Sequence, residues 1–276
     1  MTGLQMFLQQ GILPRLESTL KINWTAKNCF TLDDVNFKAI NLGLGNTDST
    51  LDEFIFQKPA WMVDRYGKLI EELRPKRIFE LGIWQGGSCV FFHKIANANK
   101  LVTIDLSEER ISAVDEYIKV NKLKNSLVPM YGVDQSDIPL LQKIATEEFE
   151  GGEIDLVIDD ASHFLDETRS SFNALFPLVR PGGVYVIEDW PWAHGPIDLP
   201  DNTMGFYPER EPLTELIFEL ILACPSTNAY IDKIEVDRNS VTVWRGDGAI
   251  EAESFNISQC CLARGRDLIK RNTAHE

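Results

Sequence analysis

Between positions 77 and 188, short and largely apolar runs alternate with stretches of helical period, and this alternation constrains the fold more than any other feature of the chain. The runs at 77–82, 101–106, 127–131, 154–159 and 184–188 are rich in Val, Ile and Leu, and most end in polar residues. A strand that is apolar on both faces must be covered on both faces, as in a parallel sheet between helical layers. The stretches between them, at 88–97, 108–122, 137–148 and 164–178, carry helical spacing. Ahead of the first strand, Trp61, Met62, Arg65, Tyr66, Leu69, Ile70 and Leu73 recur at the same period, and Pro75 ends that helix. After the fifth strand come a helix near 212–223 and two β-type runs, 231–237 and 240–244. The turn residues Asp237-Arg-Asn-Ser240 join these two into a hairpin. The expected architecture is α/β: a doubly wound, seven-stranded sheet of five parallel strands plus a C-terminal antiparallel hairpin.

Residues 1–57 read as an N-terminal extension to a domain spanning 58–276. The extension is expected to be helical, because Thr31-Leu-Asp-Asp34 has the form of a helix start, with Thr31 as cap and Asp34 near the positive end of the dipole. Positions 41–50, rich in Gly, Asn, Ser and Thr, are expected to be loop. Such an extension serves either as a lid over a site or as plain packing. The polar stretch 265–276 is expected to fray.

A formal net charge of -15 argues against general binding to nucleic acid or to anionic membranes, since the mean field repels phosphates. The five cysteines (Cys29, Cys89, Cys224, Cys260 and Cys261) are odd in number and form no CxxC pair, which fits reduced thiols in the cytoplasm. Neither a signal peptide nor an apolar run of membrane-spanning length is evident, so a cytoplasmic location is expected. Self-association is left open.

The first strand runs into a glycine-rich turn, Glu80-Leu-Gly-Ile-Trp-Gln-Gly-Gly-Ser88. Gly82, Gly86 and Gly87 permit a sharp turn and close approach of a ligand, and a helix beginning near Ser88 offers free N–H groups. Dinucleotide proteins use such turns too, but the spacing here is not G-x-G-x-x-G. Glu80, at the strand end, would repel a pyrophosphate and attract the ammonium of a methionine moiety. Asp105 ends the second strand, roughly 20 residues beyond the turn, where an acid that accepts from ribose hydroxyls is expected. Ser107 is better placed than Asp105 to cap the helix expected from 108. Asp134, with Gln135 beside it, is either an acceptor for an adenine amino group or a helix cap. Trp84 lies inside the loop, where it either touches a cofactor or does not.

The fourth and fifth strands end in paired acids, Asp159-Asp160-Ala-Ser-His163 and Glu188-Asp189-Trp190. Neighbouring parallel strands bring their C-terminal ends side by side, where ligands bind, so Asp160, Glu188 and Asp189 are expected to converge. Three carboxylates together repel unless protonated or bound to a cation, and a hard ion such as Mg²⁺ suits oxygen ligands. The alternative reading is that Asp159 and Asp160 cap the next helix and that His163 is an ordinary loop histidine. The Trp190-Pro-Trp-Ala-His194 segment is a substrate wall, a hydrophobic plug or a subunit contact.

On these motifs the stretch 58–190 resembles class I S-adenosylmethionine (SAM) dependent methyltransferases. Within them it is similar to the metal-dependent sugar and macrolide O-methyltransferases and the cephalosporin-hydroxylase-like group. The resemblance implies a Rossmann-like fold, SAM held by Glu80, Gly82, Gly86, Ser88, Asp105, Asp134, Gln135 and Asp159, and Mg²⁺ or another divalent cation on Asp160, Glu188 and Asp189. It also implies His163 as general base and a small-molecule, sugar-like or natural-product hydroxyl as acceptor. Ala161 stands where glycine is common in that group. A metal-independent O- or N-methyltransferase and a SAM-binding accessory protein remain as alternatives.

Overall fold

The computed structural model describes residues 22–40, 48–194, 210–227 and 229–262. The expected fraying tail at 265–276 and most of the 41–50 loop lie outside the described residues.

The extension differs from expectation. Where described it is β-structure, not helix: β1 (Ile22–Ala26), β2 (Cys29–Leu32), β3 (Val35–Ala39) and β4 (Phe54–Phe56) form one four-stranded sheet in that order. The stretch read as a helix start is a hairpin turn. Leu32 pairs with Val35, and Asp33 takes a left-handed φ of 53° between them. Phe30 and Leu32, then Val35, Phe37 and Ala39, are buried at alternate positions, which is period two rather than 3.6.

From 60 onward the expected order holds: α1 (Ala60–Leu73), β5 (Arg77–Leu81), α2 (Gly87–Ile95), β6 (Lys100–Asp105), α3 (Ser112–Val120), β7 (Leu127–Tyr131) and α4 (Ile138–Glu148). Then follow β8 (Ile154–Asp159), α5 (Leu165–Leu175), β9 (Val179–Glu188), α6 (Thr214–Ser226), β10 (Ile231–Val236) and β11 (Ser240–Arg245). The seven-stranded sheet has the order β10-β11-β9-β8-β5-β6-β7, with β11 antiparallel to both neighbours. Arg180-Pro-Gly-Gly183 bulges out of β9: Ile154 pairs with Val179, yet Leu156 pairs with Val184. Helix α3 starts later than expected, so Ser107 does not cap it; the Ser107 hydroxyl accepts from the Glu109 N–H at 3.1 Å.

Successive residues of each central strand serve opposite layers. Ile78, Leu101, Leu156, Ile158, Val184 and Val186 pack against α1, α2, α3 and the N-terminal sheet. Phe79, Val102, Ile104, Val157, Tyr185 and Ile187 pack against α4, α5 and α6. The N-terminal sheet is joined to α2 by aromatic contacts, with Phe56 and Phe91 centroids 4.9 Å apart and Phe37 edge-on to Phe91 at 5.9 Å. All five cysteines are free thiols. No helix among the described residues is long and apolar enough to cross a membrane.

Candidate active site

The chain runs from β5 to β6 and β7 on one side and then crosses from β7 to β8 on the other side of β5, and such a switch opens a crevice at the C-terminal strand ends. A cavity of about 1250 Å³ lies there, bounded by the glycine turn, the ends of β6, β8 and β9, and the approach to α1.

The glycines of the turn are demanded first by the protein's own packing. A Cβ on Gly82 (φ 99°) would meet the Asp160 carbonyl oxygen at 2.3 Å, and one on Gly87 the Ile55 carbonyl oxygen at 2.0 Å. Gly86 (φ 75°) faces Val114 and does not line the cavity, whereas Gly82, Trp84 and Ser88 do. Asp105 holds the turn from β6. Its Oδ2 accepts from the N–H groups of Ile83 (2.8 Å) and Trp84 (3.1 Å), and its Oδ1 from Ser107 (2.8 Å). Asp105 still borders the cavity.

Glu80 sits behind the wall, 1% exposed, and its Oε2 has no hydrogen-bond partner among the described residues. Burial pushes its carboxyl up to about 7, against the Ser88 hydroxyl and the Lys58 ammonium, which pull it down. An unpartnered buried carboxylate oxygen behind the glycine turn suits a cationic ligand group.

Asp134 and Gln135 both border the cavity. Asp134 does not cap α4, since Asp137 does that by accepting from the Leu140 N–H at 3.0 Å. Instead Asp134 Oδ1 accepts from the Ser136 N–H and hydroxyl, each at 2.7 Å. Gln135 is tied inward: its amide donates to Asp159 Oδ1 at 3.4 Å and its Oε1 accepts from the Ser162 N–H at 2.7 Å. Asp159 lies beneath the cavity rather than on its wall. Ser171 and Tyr185 hydroxyls donate to it, and burial raises it to about 6 despite these bonds. Neither Asp159 nor Asp160 caps α5, whose first turn follows Phe164 with no side-chain cap.

Asp160, His163 and Asp189 each offer a ligand atom, and these atoms lie within 4.8 Å of one another. His163 Nε2 is 3.9 Å from an oxygen of each carboxylate. His163 (φ 59°) and Asp189 (φ 52°) both adopt left-handed backbone, as does Trp84 (φ 45°). Such strain in non-glycine residues clusters where surrounding structure enforces a functional geometry. Trp192 Nε1 donates to the His163 carbonyl at 2.9 Å, and Trp190 Nε1 to that of Asp237 at 2.8 Å. The two tryptophans therefore act as struts for the site loops, and neither lines the cavity.

Three contributors carried no local signal in the sequence. Lys58, 3% exposed, pairs with both Asp160 and Glu188, the latter at 2.8 Å. Burial works against its charge, but the two carboxylates outweigh that and raise its pKa. Tyr66, on the buried face of α1, donates its hydroxyl to Glu188 Oε1. Burial, then the Asp160 charge, push Glu188 upward against Lys58 and Tyr66. Asn239, in the hairpin turn, donates to Asp189 Oδ1 at 3.0 Å. Positions 58, 66 and 239 meet 160, 188 and 189 only through folding, so no spacing rule finds them.

Residues 79–190 match a family described as a methyltransferase domain. This stretch of the chain is similar to that domain over 112 residues. The chain is 33% identical over 152 residues to mycinamicin VI 2''-O-methyltransferase of Micromonospora griseorubida, and the match covers 50% of this chain and 35% of that protein. Demethylmacrocin O-methyltransferase of Streptomyces fradiae is 32% identical over 152 residues, again covering 50% of this chain and 35% of the relative. Among solved structures, the MycE methyltransferase from the mycinamycin biosynthetic pathway, in complex with Mg, SAH and Mycinamycin VI, superposes with a TM-score of 0.50 at 29% identity. It covers 69% of this chain and 52% of that one. The matched segment thus spans about a third of the length of these curated relatives. The cavity described above lies at the edge of the matched segment 79–190 and takes further walls from outside it, at Lys58 and at Asn239.

Proposed function

We propose that the chain is a SAM-dependent O-methyltransferase acting on a hydroxyl of a small molecule, sugar-like or a glycosylated natural product, with a divalent cation beside the acceptor. The observation that carries this reading is the meeting of Asp160, His163 and Asp189 in the same cavity as the glycine turn. The relatives' names, a mycinamicin VI 2''-O-methyltransferase and a demethylmacrocin O-methyltransferase, and the Mg and SAH in the MycE complex support it.

When bound, SAM supplies the methyl group, and a divalent cation lowers the pKa of a hydroxyl held against it. The residues fit both groups: an unpartnered Glu80 oxygen and the cavity-facing Asp105 on one side, hard carboxylate oxygens on the other. Glu80 would face the methionine ammonium, Gly82 and Ser88 would lie against its chain, Asp105 would accept from the ribose hydroxyls, and Asp134 would sit at the adenine edge. Gln135 and Asp159, bonded to each other and to Ser162 or Ser171, would act from behind by shaping the 160–163 loop. His163 Nε2 would take the acceptor's proton, and Asp160 and Asp189, 3.9 Å away, would stabilise the imidazolium formed. Residues 1–57 would contribute part of the pocket wall, since Ile40, Ile55 and Gln57 border the cavity.

Calorimetry with SAM and S-adenosylhomocysteine, followed by mass analysis of glycosylated acceptors for the gain of one methyl group, tests the reading. Absence of SAM binding would overturn it. His163→Ala should cost about 10²–10⁴-fold in kcat with SAM affinity kept, if the histidine is the base. A second reading is favoured by Lys58: it already neutralises one charge of the acid cluster, so the transfer proceeds without a metal. Activity that survives EDTA in full would select that reading.

A further inference from the structure

The acid cluster contains its own cation. Lys58 Nζ lies 2.8 Å from Glu188 Oε2 and also pairs with Asp160, while Tyr66 donates to Glu188 Oε1, so both oxygens of Glu188 are engaged. Asp189 is arranged differently. Its Oδ1 takes the Asn239 amide at 3.0 Å, and its Oδ2 faces His163 across 3.9 Å of the cavity wall. Among the described residues, the groups whose ligand atoms come together are Asp160, His163 and Asp189, without Glu188, and with His163 kept as the base the two aspartates remain for an ion. Exposure follows the same division: Glu188 is 2% exposed, whereas Asp160 is 27% and Asp189 33%.

We infer that Lys58 is a built-in counter-ion that claims Glu188 and competes with a divalent cation for Asp160, leaving Asp160 and Asp189 as the principal carboxylate ligands. The charges agree with this. Asp160, Glu188 and Asp189 carry three negative charges when ionised, Lys58 returns one, and a dication balances the remainder. Glu188 then acts as a positioning residue for Lys58 rather than as a ligand. The inference rests on the reading that a divalent cation binds here, and it departs from the Glu-Asp ligand pair that the resemblance implied.

The test is calorimetric titration of Mn²⁺ into the full chain and its variants, with folding followed by circular dichroism and thermal melting. Lys58→Met should bind Mn²⁺ roughly tenfold tighter or more, because a like charge beside the ion has been removed. Its melting temperature should also respond more steeply to Mn²⁺ than that of the parent. Lys58→Arg, which keeps the charge, should bind like the parent. Asp189→Asn should lose binding, whereas Glu188→Gln should stay within a few-fold of the parent. Two results would overturn the inference: Lys58→Met binding no tighter than the parent, or Glu188→Gln losing Mn²⁺ as completely as Asp189→Asn. If Lys58→Met folds only with Mn²⁺ present, the inference is supported; if it does not fold at all, the comparison of Glu188→Gln with Asp189→Asn decides. Binding by neither the parent nor Lys58→Met overturns the metal reading along with the inference. Parent binding that Lys58→Met leaves unchanged overturns the inference alone, and SAM titration of the parent reports separately on the methyltransferase reading.

Discussion

Glu80 leaves a carboxylate oxygen unpartnered at 1% exposure, and burial holds its carboxyl at about 7. At neutral pH it is therefore only partly ionised before any cationic group arrives, which weakens the simple attraction that its position suggests. A bound ammonium would pull its pKa down, so binding must release a proton below about pH 7 and tighten as pH rises from 6 to 8. Titrating SAM in two buffers of different ionisation enthalpy should reveal that proton release, and Glu80→Gln should abolish it. Equal proton release in the variant would place the titrating group elsewhere. Asp105 presents the opposite case, an acid saturated by backbone donors. Asp105→Asn sets an amide N–H against those donors and should cost about 1–3 kcal/mol of stability as well as SAM affinity. Urea unfolding measures the first and calorimetry the second; unchanged stability would show that the glycine turn holds without this clamp.

At the scale of elements, the glycine turn is a three-way junction between β5, α2 and the N-terminal sheet. Gly87→Ala illustrates it. In an isolated helix alanine is favoured by about 1 kcal/mol. Here the added Cβ would stand 2.0 Å from the Ile55 carbonyl oxygen, and that neighbour is backbone in β4. The clash should win, with a net loss of about 1–3 kcal/mol and faster proteolysis within 22–56, read by melting and limited digestion. A rise in melting temperature would mean that β4 yields without cost. Strands β5, β6, β8 and β9 were legible because most of their residues are buried on both faces and so are largely apolar. The N-terminal strands were not, because Phe30, Leu32, Val35, Phe37 and Ala39 are interrupted by the Asp33-Asp34 turn, and a polar turn resembles a helix cap when the partner strand is unknown. The acids at 159–160 and 188–189 were legible for a related reason: β8 and β9 had to be neighbours, and their C-terminal ends therefore adjacent.

For the molecule as a whole, one histidine ties stability to pH away from the site. His93, on α2, contacts Ser126 at 3.1 Å, and burial first, then Lys94, lower its pKa to about 4 from 6.5. The unfolded chain takes up this proton below about 6.5 while the folded chain refuses it until about 4. Stability attributable to neutral His93 is thus present above 6.5 and lost as pH falls through that window, on the order of 1–2 kcal/mol by pH 5. His93→Gln should lose less on going from pH 7.5 to 5 in urea titrations, and parallel losses would remove His93 as the cause. The glycine turn and the paired acids at two strand ends were readable along the chain, because periodicity and composition report the burial of an element's own residues. Two features of the cavity were not readable. One is the placement of a buried ammonium from Lys58 against Asp160 and Glu188, and the other is the Asn239 amide against Asp189. Those contacts join positions more than a hundred residues apart in one case and fifty in the other, and they arise from how α1 and the β10–β11 hairpin pack against the sheet. Electrostatic partners chosen by packing leave no period in the chain. The glycine turn with which the site begins is therefore legible locally, whereas the charge balance of the acids beside it is set by the fold.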